Sequence, residues 1–271
     1  MNGFRPVLCL LCAAALKICF LSGCSVKEDR ELCPCYISFD LSEAFDSTGG
    51  NLLLTLCNSG GFRFCDTLRR KDYPDSAAVY VAAVPKGAVM MDVYSPADSV
   101  RTPFEGYRPE GICAPMRMQS ENFIAEGETA KRKIRLNKRY CRLRISFKGR
   151  VRTGVSHVLV FRSETEGYLP GGAVSEGPYS EEVRADAEGF FEINLLRQLR
   201  SSLMMDVLDE GGRGRPEILK TVAIGEYIDA AGYDWEKDDL DDLEMEVDFA
   251  DMKVLFRTAE RERTVFVGAV I

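Results

Sequence analysis

Cys24 carries the one thiol whose neighbours specify a reaction. It stands in Leu21-Ser22-Gly23-Cys24, where a leucine and two small residues precede a cysteine in the manner of a lipobox. In that pattern the thiol is acylated and the chain is cut between Gly23 and Cys24. The segment ahead of it fits an export signal: Arg5 supplies a basic n-region and residues 7–21 form a mostly apolar stretch of signal length. The alternative is an uncleaved membrane span. Lys17 argues against it by interrupting a run that would need about 20 apolar residues.

The remaining reactive side chains specify less. Of ten cysteines, Cys9, Cys12 and Cys19 leave with the signal and Cys24 takes the lipid. Cys33, Cys35, Cys57, Cys65, Cys113 and Cys141 stay. Disulfides form outside the cytoplasm, but the sequence does not choose among the pairings of six thiols. Cys57 and Cys65 are a candidate disulfide between neighbouring strands, and burial as small apolar side chains is the alternative. Cys33-Pro34-Cys35 lacks zinc-site spacing and His157 is the single histidine, so no metal site is expected. Ser-His-Asp chemistry would need His157 as its base, yet His157 lies in a strand-like run. A glycosidase would need two facing carboxylates, and no pair is singled out. No catalytic residue and no cofactor are assigned. The glycines do not follow a strand-to-helix phosphate-loop pattern.

Two charge runs stand out. Residues 131–152 hold eleven basic residues and no acid. Cys141, Leu143, Ile145 and Phe147 alternate with Arg142 and Arg144, so this run reads as a strand with one buried and one solvated face rather than a polyanion site. Residues 226–251 hold twelve acids against Lys237 alone. Calcium favours several carboxylates, but EF-hand spacing is missing. Leu243, Met245 and Val247 alternate with Glu244, Glu246 and Asp248, again a half-buried strand. The acids of the 226–251 run are also candidates to pair with the basic face of Arg142 and Arg144 inside one sheet.

The elements that must hold these residues read as β. Removing 23 of the 271 residues leaves 248, enough for two domains. The net charge of −7 becomes −9 once Arg5 and Lys17 are gone, which disfavours nucleic acid as a partner. Residues 36–41, 51–57, 62–67, 78–82 and 88–94 are rich in aromatic and branched side chains between turn residues. Residues 58–61 read as a hairpin loop, and 96–127 as loop. The second half offers strands over 155–161, 190–195, 202–208, 243–249, 252–256 and 264–267, with 166–177 irregular around the Pro170-Gly171-Gly172 turn. Short strands at close spacing predict sandwiches, not βαβ units. The expected division is a signal peptide over 1–23, a lipidated tether over 24–35, an N-terminal sandwich over 36–130 and a C-terminal one over 131–271.

Both ends of the chain carry a resemblance. Lys27-Glu28-Asp29 after Cys24 is similar to the signal that sends Bacteroidota lipoproteins to the outer face of the outer membrane. Cys24, Asp29-Arg30, Cys33-Pro34 and Tyr36-Ile37-Ser38-Phe39-Asp40-Leu41 resemble the start of the Bacteroidota fimbrial (minor fimbrium) anchor lipoproteins, the type V pilus anchor subunits. Ile224-Gly225-Glu226-Tyr227-Ile228, Gly232-Tyr233-Asp234-Trp235 and Leu243-Glu244-Met245-Glu246-Val247-Asp248-Phe249 are similar to the C-terminal signature of that family.

The resemblance implies an all-β protein of two tandem transthyretin-like β-sandwich domains. It implies a non-enzymatic lipoprotein at the base of a fimbria, with a fimbrial shaft subunit and the outer membrane as its partners and an influence on fimbrial length. Pili of that kind assemble by strand donation, in which an open sheet edge accepts a foreign strand through main-chain hydrogen bonds. A surface glycan-binding lipoprotein is the alternative, with Trp235 and the tyrosines Tyr107, Tyr168 and Tyr179 as candidate sugar platforms.

Overall fold

The computed structural model describes residues 33–73, 78–109, 111, 113–148, 157–209, 217–248, 253–258 and 261–266. Gly23, Cys24 and the tether before Cys33 lie outside the described residues, as do Phe249 and the 155–156 start of one expected strand.

The first half of the chain forms two facing sheets. Strand β1 (Cys35–Asp40) turns Cys35, Ile37 and Phe39 inward at 0% exposure and leaves Tyr36 outside, the period-two pattern of a half-buried strand. After it come helix α1 (Ser42–Thr48) and strands β2 (Leu52–Cys57), β3 (Arg63–Leu68), β4 (Val79–Val84), β5 (Gly87–Ser95), β6 (Arg117–Ala125), β7 (Thr129–Lys133) and β8 (Asn137–Lys138). One sheet has the order β4-β1-β7 and the other β3-β2-β5-β6-β8. Ile37, Phe39, Leu54, Leu56, Met91, Val93 and Phe123 fill the space between them.

The second half repeats this plan. Its strands are β9 (Tyr140–Lys148), β10 (His157–Tyr168), β11 (Val174–Arg184), β12 (Phe191–Leu196), β13 (Met204–Asp209), β14 (Glu217–Val222) and β15 (Leu243–Asp248), with helix α2 (Ile224–Ala230) before β15. Strand β9 pairs antiparallel with β12 and parallel with β15, just as β1 pairs antiparallel with β4 and parallel with β7. The order β11-β10-β13-β14 likewise mirrors β3-β2-β5-β6. A terminal hairpin of β16 (Lys253–Arg257) and β17 (Glu262–Phe266) then extends the β15 edge. Leu143, Ile145, Leu159, Phe161, Met205, Met245 and Phe256 lie in this second core.

The all-β reading holds, and the structure corrects it in detail. Residues 96–127, read as loop, contain β6, which pairs with β5 over nine positions. Polar side chains on both of its faces hide any alternation. Residues 166–177 are mostly the arms of the β10–β11 hairpin, and only the turn at Pro170-Gly171-Gly172 is as expected. The expected division between 130 and 131 falls inside β7, which pairs with β1; sheet membership changes at Arg139 instead. Helix α2 is not legible in the sequence because seven residues carry little period. It closes onto the core through Ile224 and Ile228. Gly225 permits this contact, since a Cβ there would sit 2.7 Å from the Ser201 carbonyl oxygen.

Candidate functional site

Three features bear on what the molecule does: the N-terminal end, the contact between the two halves, and the charged and aromatic residues of the second half. The described chain starts at Cys33 and enters the first sandwich at once, because Cys35 opens β1 and is fully buried. All six cysteines 33, 35, 57, 65, 113 and 141 are free thiols. Cys57 and Cys65 do lie on the neighbouring strands β2 and β3, but Cys57 faces Arg63 and Cys65 faces Thr55. They are therefore diagonal rather than opposite, at about 7–8 Å between Cα atoms, beyond the usual reach of a disulfide. Burial pushes both thiols above the ordinary cysteine value. Cys113 and Cys141 follow the apolar alternative, each at 0% exposure.

The halves meet where the β10–β11 hairpin tip lies on the outer face of the β3-β2-β5-β6-β8 sheet. Strand β2 is buried on both sides: Leu52, Leu54 and Leu56 face the first core, while Leu53 joins Tyr94, Tyr107, Cys113, Met118, Tyr168 and Leu196 in a third cluster drawn from both halves. Tyr107 and Tyr168 exchange both main-chain hydrogen bonds at 2.8 Å. Asp92 accepts a bond from the Gly171 N–H at 3.0 Å and another from the Ser120 hydroxyl. Glu181 accepts from the Cys113 N–H at 3.3 Å and lies against the Tyr179 hydroxyl. Burial raises the carboxyls of Asp92 and Glu181 above their ordinary values, only in part offset by these donors. Sequence reasoning missed both carboxylates. Asp92 sits in an alternating strand as a solvent-facing residue should, and only the hairpin tip, 79 residues further on, covers it.

The charge runs sort as strand faces. Cys141, Leu143 and Ile145 are fully buried. Arg142 and Arg144 point outward and reach Glu192 at 3.8 Å and Glu188 at 3.3 Å. Strand β15 is the neighbour of β9, and Asp248 pairs with Lys148 at 3.4 Å. The expected partners are corrected: β9 and β15 meet through Lys148 and Asp248. The guanidiniums of Arg142 and Arg144 take Glu192 and Glu188 from the β12 side, the antiparallel neighbour whose register sets those acids beside them. Lys138 ties the halves together through Asp242 at 2.6 Å and the Leu240 carbonyl at 3.0 Å.

The aromatic candidates for sugar stacking are already engaged. Trp235 is 9% exposed and meets Tyr233 edge to face at 4.5 Å. Tyr107 and Tyr168 are buried between the halves. Tyr179 lies on β11 beside Glu181. A cleft of about 180 Å³ does open between the end of α2 and the terminal hairpin, lined by Gly232, Tyr233, Lys237, Asp241, Arg261 and Arg263 among others. His157 opens β10 opposite Asp209 in the strand register.

The fold is similar to those of solved structures described as fimbrial and adhesin proteins. The fimbrial anchor protein Mfa2 from Porphyromonas gingivalis matches with a TM-score of 0.55 and 10% identity, over 85% of this chain and 99% of that one. A candidate polysaccharide-binding protein (DUF1812) from Bacteroides thetaiotaomicron matches with a TM-score of 0.59 and 10% identity, over 86% and 98%. A candidate adhesin from the same organism matches at 0.58 and 12% identity, over 87% and 99%. No family model matches the chain, and no curated protein matches it in sequence. The chain shares the fold of these proteins.

Proposed function

We propose that this protein is a non-enzymatic lipoprotein that anchors a fimbria to the outer membrane. In this reading Cys24 bears the lipid after cleavage behind Gly23, residues 24–35 form the tether, and two transthyretin-like domains dividing near Arg139 grip a fimbrial shaft subunit. The observation that carries it is a match along 85% of the chain to a protein described as a fimbrial anchor. The lipobox at Cys24 supports it independently. Replacement of Cys24 by alanine, followed by cell fractionation and recovery of fimbriae from the medium, tests the reading. Fimbriae shed into the medium are the expected result. Fimbriae that stay on the cells of the variant would overturn it.

Binding of a surface glycan is the second reading, favoured by the polysaccharide-binding description of one fold relative. The engagement of Trp235, Tyr107, Tyr168 and Tyr179 in internal contacts weighs against it. Specific binding on a glycan array would put this reading first.

A further inference from the structure

The outer face of the β4-β1-β7 sheet is apolar where a solvated face should be polar. Tyr36 is 51% exposed, Val79 50% and Val81 53%. They are also neighbours: Tyr36 stands opposite Ala83, Ser38 opposite Val81 and Asp40 opposite Val79. On the far side of β1 the same face carries Thr129, Lys131 and Lys133. Asp40 lies on this face and its carboxylate accepts the Ser42 N–H at 3.1 Å, while Glu43 at its edge pairs with Lys133 at 2.7 Å. At the β4 side and the start of β1, this face offers Tyr36, Val79 and Val81 with Lys131 across β1, and its two acids, Asp40 and Glu43, lie at the far end beside Lys133.

Its position selects the occupant. The second half of the molecule packs on the outside of the other sheet, at Asp92, Ser120 and Met118. The β4-β1-β7 face therefore looks away from the rest of the protein. Strand β1 is the first described strand, and only eight residues lie between Cys24 and Cys33, a reach of roughly 30 Å when fully extended.

We propose that the outer face of the β4-β1-β7 sheet lies on the membrane, with Tyr36, Val79 and Val81 in the headgroup and acyl boundary and Lys131 of β7 against lipid phosphates. This rests on the acylation of Cys24 proposed above, because the lipid holds the face at high local concentration beside the bilayer and makes a weak apolar contact sufficient. The protein would then be held by lipid and by a sheet face together. Its second sandwich would be turned outward.

Acylated protein carrying Val81→Trp, or Ile218→Trp on β14 as the control, is reconstituted in phosphatidylethanolamine–phosphatidylglycerol vesicles containing brominated lipid. With the Trp235 emission of the parent protein subtracted, quenching of the V81W indole with the I218W indole unaffected is the expected result. Equal quenching of both variants, or of neither, overturns the proposal. Mass spectrometry of the same preparations reads the acyl group at Cys24. A missing acyl mass sinks the lipidation reading and is distinguished from a failure of the face to dock. Gel filtration without vesicles covers a second copy as the occupant. A dimer that the triple variant Y36S/V79T/V81T converts to monomer assigns the face to self-association and overturns membrane docking.

Discussion

Tyr107 and Tyr168 form a two-residue antiparallel bridge, each N–H 2.8 Å from the carbonyl of the other, between a loop of the first sandwich and the end of β10 in the second. Two such bonds contribute only about 1 kcal/mol each. Their importance is geometric. They hold Leu53, Tyr94 and Met118 under the second half, so that β2 has no solvated face at that end. The backbone of one half is thus bonded to the backbone of the other over a packed floor.

The bridge depends on two glycines. A Cβ on Gly106 would lie 2.0 Å from the Tyr168 carbonyl oxygen, and one on Gly167 would lie 2.0 Å from that of Tyr107. Neither backbone atom can retreat without breaking the bridge. Gly167→Ala is expected to destabilise the protein by about 2–4 kcal/mol. Limited proteolysis should then cut between the halves, near Arg139. Gly189→Ala, at a turn with positive φ and open space around it, should cost less and leave the joint resistant. Equal proteolysis of the two variants would remove the joint from the explanation.

Asp92 makes that joint sensitive to pH in an unusual direction. Burial raises its carboxyl above the ordinary value of 3.8, with the Ser120 hydroxyl and Gly171 N–H pulling the other way. A group raised on folding penalises the native state while ionised, above its native pKa. The penalty is relieved as pH falls through that pKa and does not change further below 3.8. Asp92→Asn removes the titration while keeping an acceptor for Gly171. Denaturant unfolding of both proteins from pH 7 to pH 4 should show the stability difference, variant minus parent, shrinking as pH falls. A difference independent of pH would mean that Asp92 does not titrate in this range.

Much of this fold is legible in the chain because one face of a strand is wet. Strands β1, β9 and β15 alternate strictly and are readable with their buried sets, Ile37 and Phe39, Leu143 and Ile145, Met245 and Val247. The joint is not legible, for the same reason. Its residues owe their burial to chain far away in sequence, 68 positions for Cys113 and 79 for Asp92, so Thr55 and Asp92 look like ordinary outward residues in strands that are covered on both sides. Strand β6 fails differently: Gln119, Ser120, Glu121 and Asn122 erase the period, and only pairing with β5 makes it a strand. The apolar outer face of β4 is in view as Val79 and Val81, but exposure is a property of layer order that a single strand does not carry. The Cys57 and Cys65 pairing turns on register, which needs the partner strand in hand.

That register leads to a direct measurement. Cys57 and Cys65 share a face of the β2–β3 pair at diagonal positions, half-exposed and exposed, with Arg63 and Thr55 as their respective opposites. Both thiols should react with a maleimide in the native, non-reduced protein, Cys65 the faster, since it is the more exposed. Cys113 and Cys141, buried and each with a pKa pushed up to about 12, should react only after unfolding. Peptide mapping that recovers Cys57 and Cys65 joined to each other would require a shifted register and would contradict the β2–β3 pairing.

The hydroxyl of Tyr168 supplies the last test. It donates to the Arg139 carbonyl at 2.6 Å and accepts from the Arg197 N–H at 3.1 Å, closing the chain crossover onto β12. The side chain is 1% exposed, so Tyr168→Phe keeps the ring packing against Leu196 and removes the hydroxyl from two part-buried main-chain bonds. The cost expected is about 1–3 kcal/mol. Because the bonds span the crossover and not the core of either sandwich, the loss should appear as faster hydrogen exchange at Arg197 and around residues 139–140. Exchange in β1 and β15 should stay at the parent rate. Uniform loss of protection across both cores would instead make Tyr168 a general packing residue, and the crossover would have no separate stability.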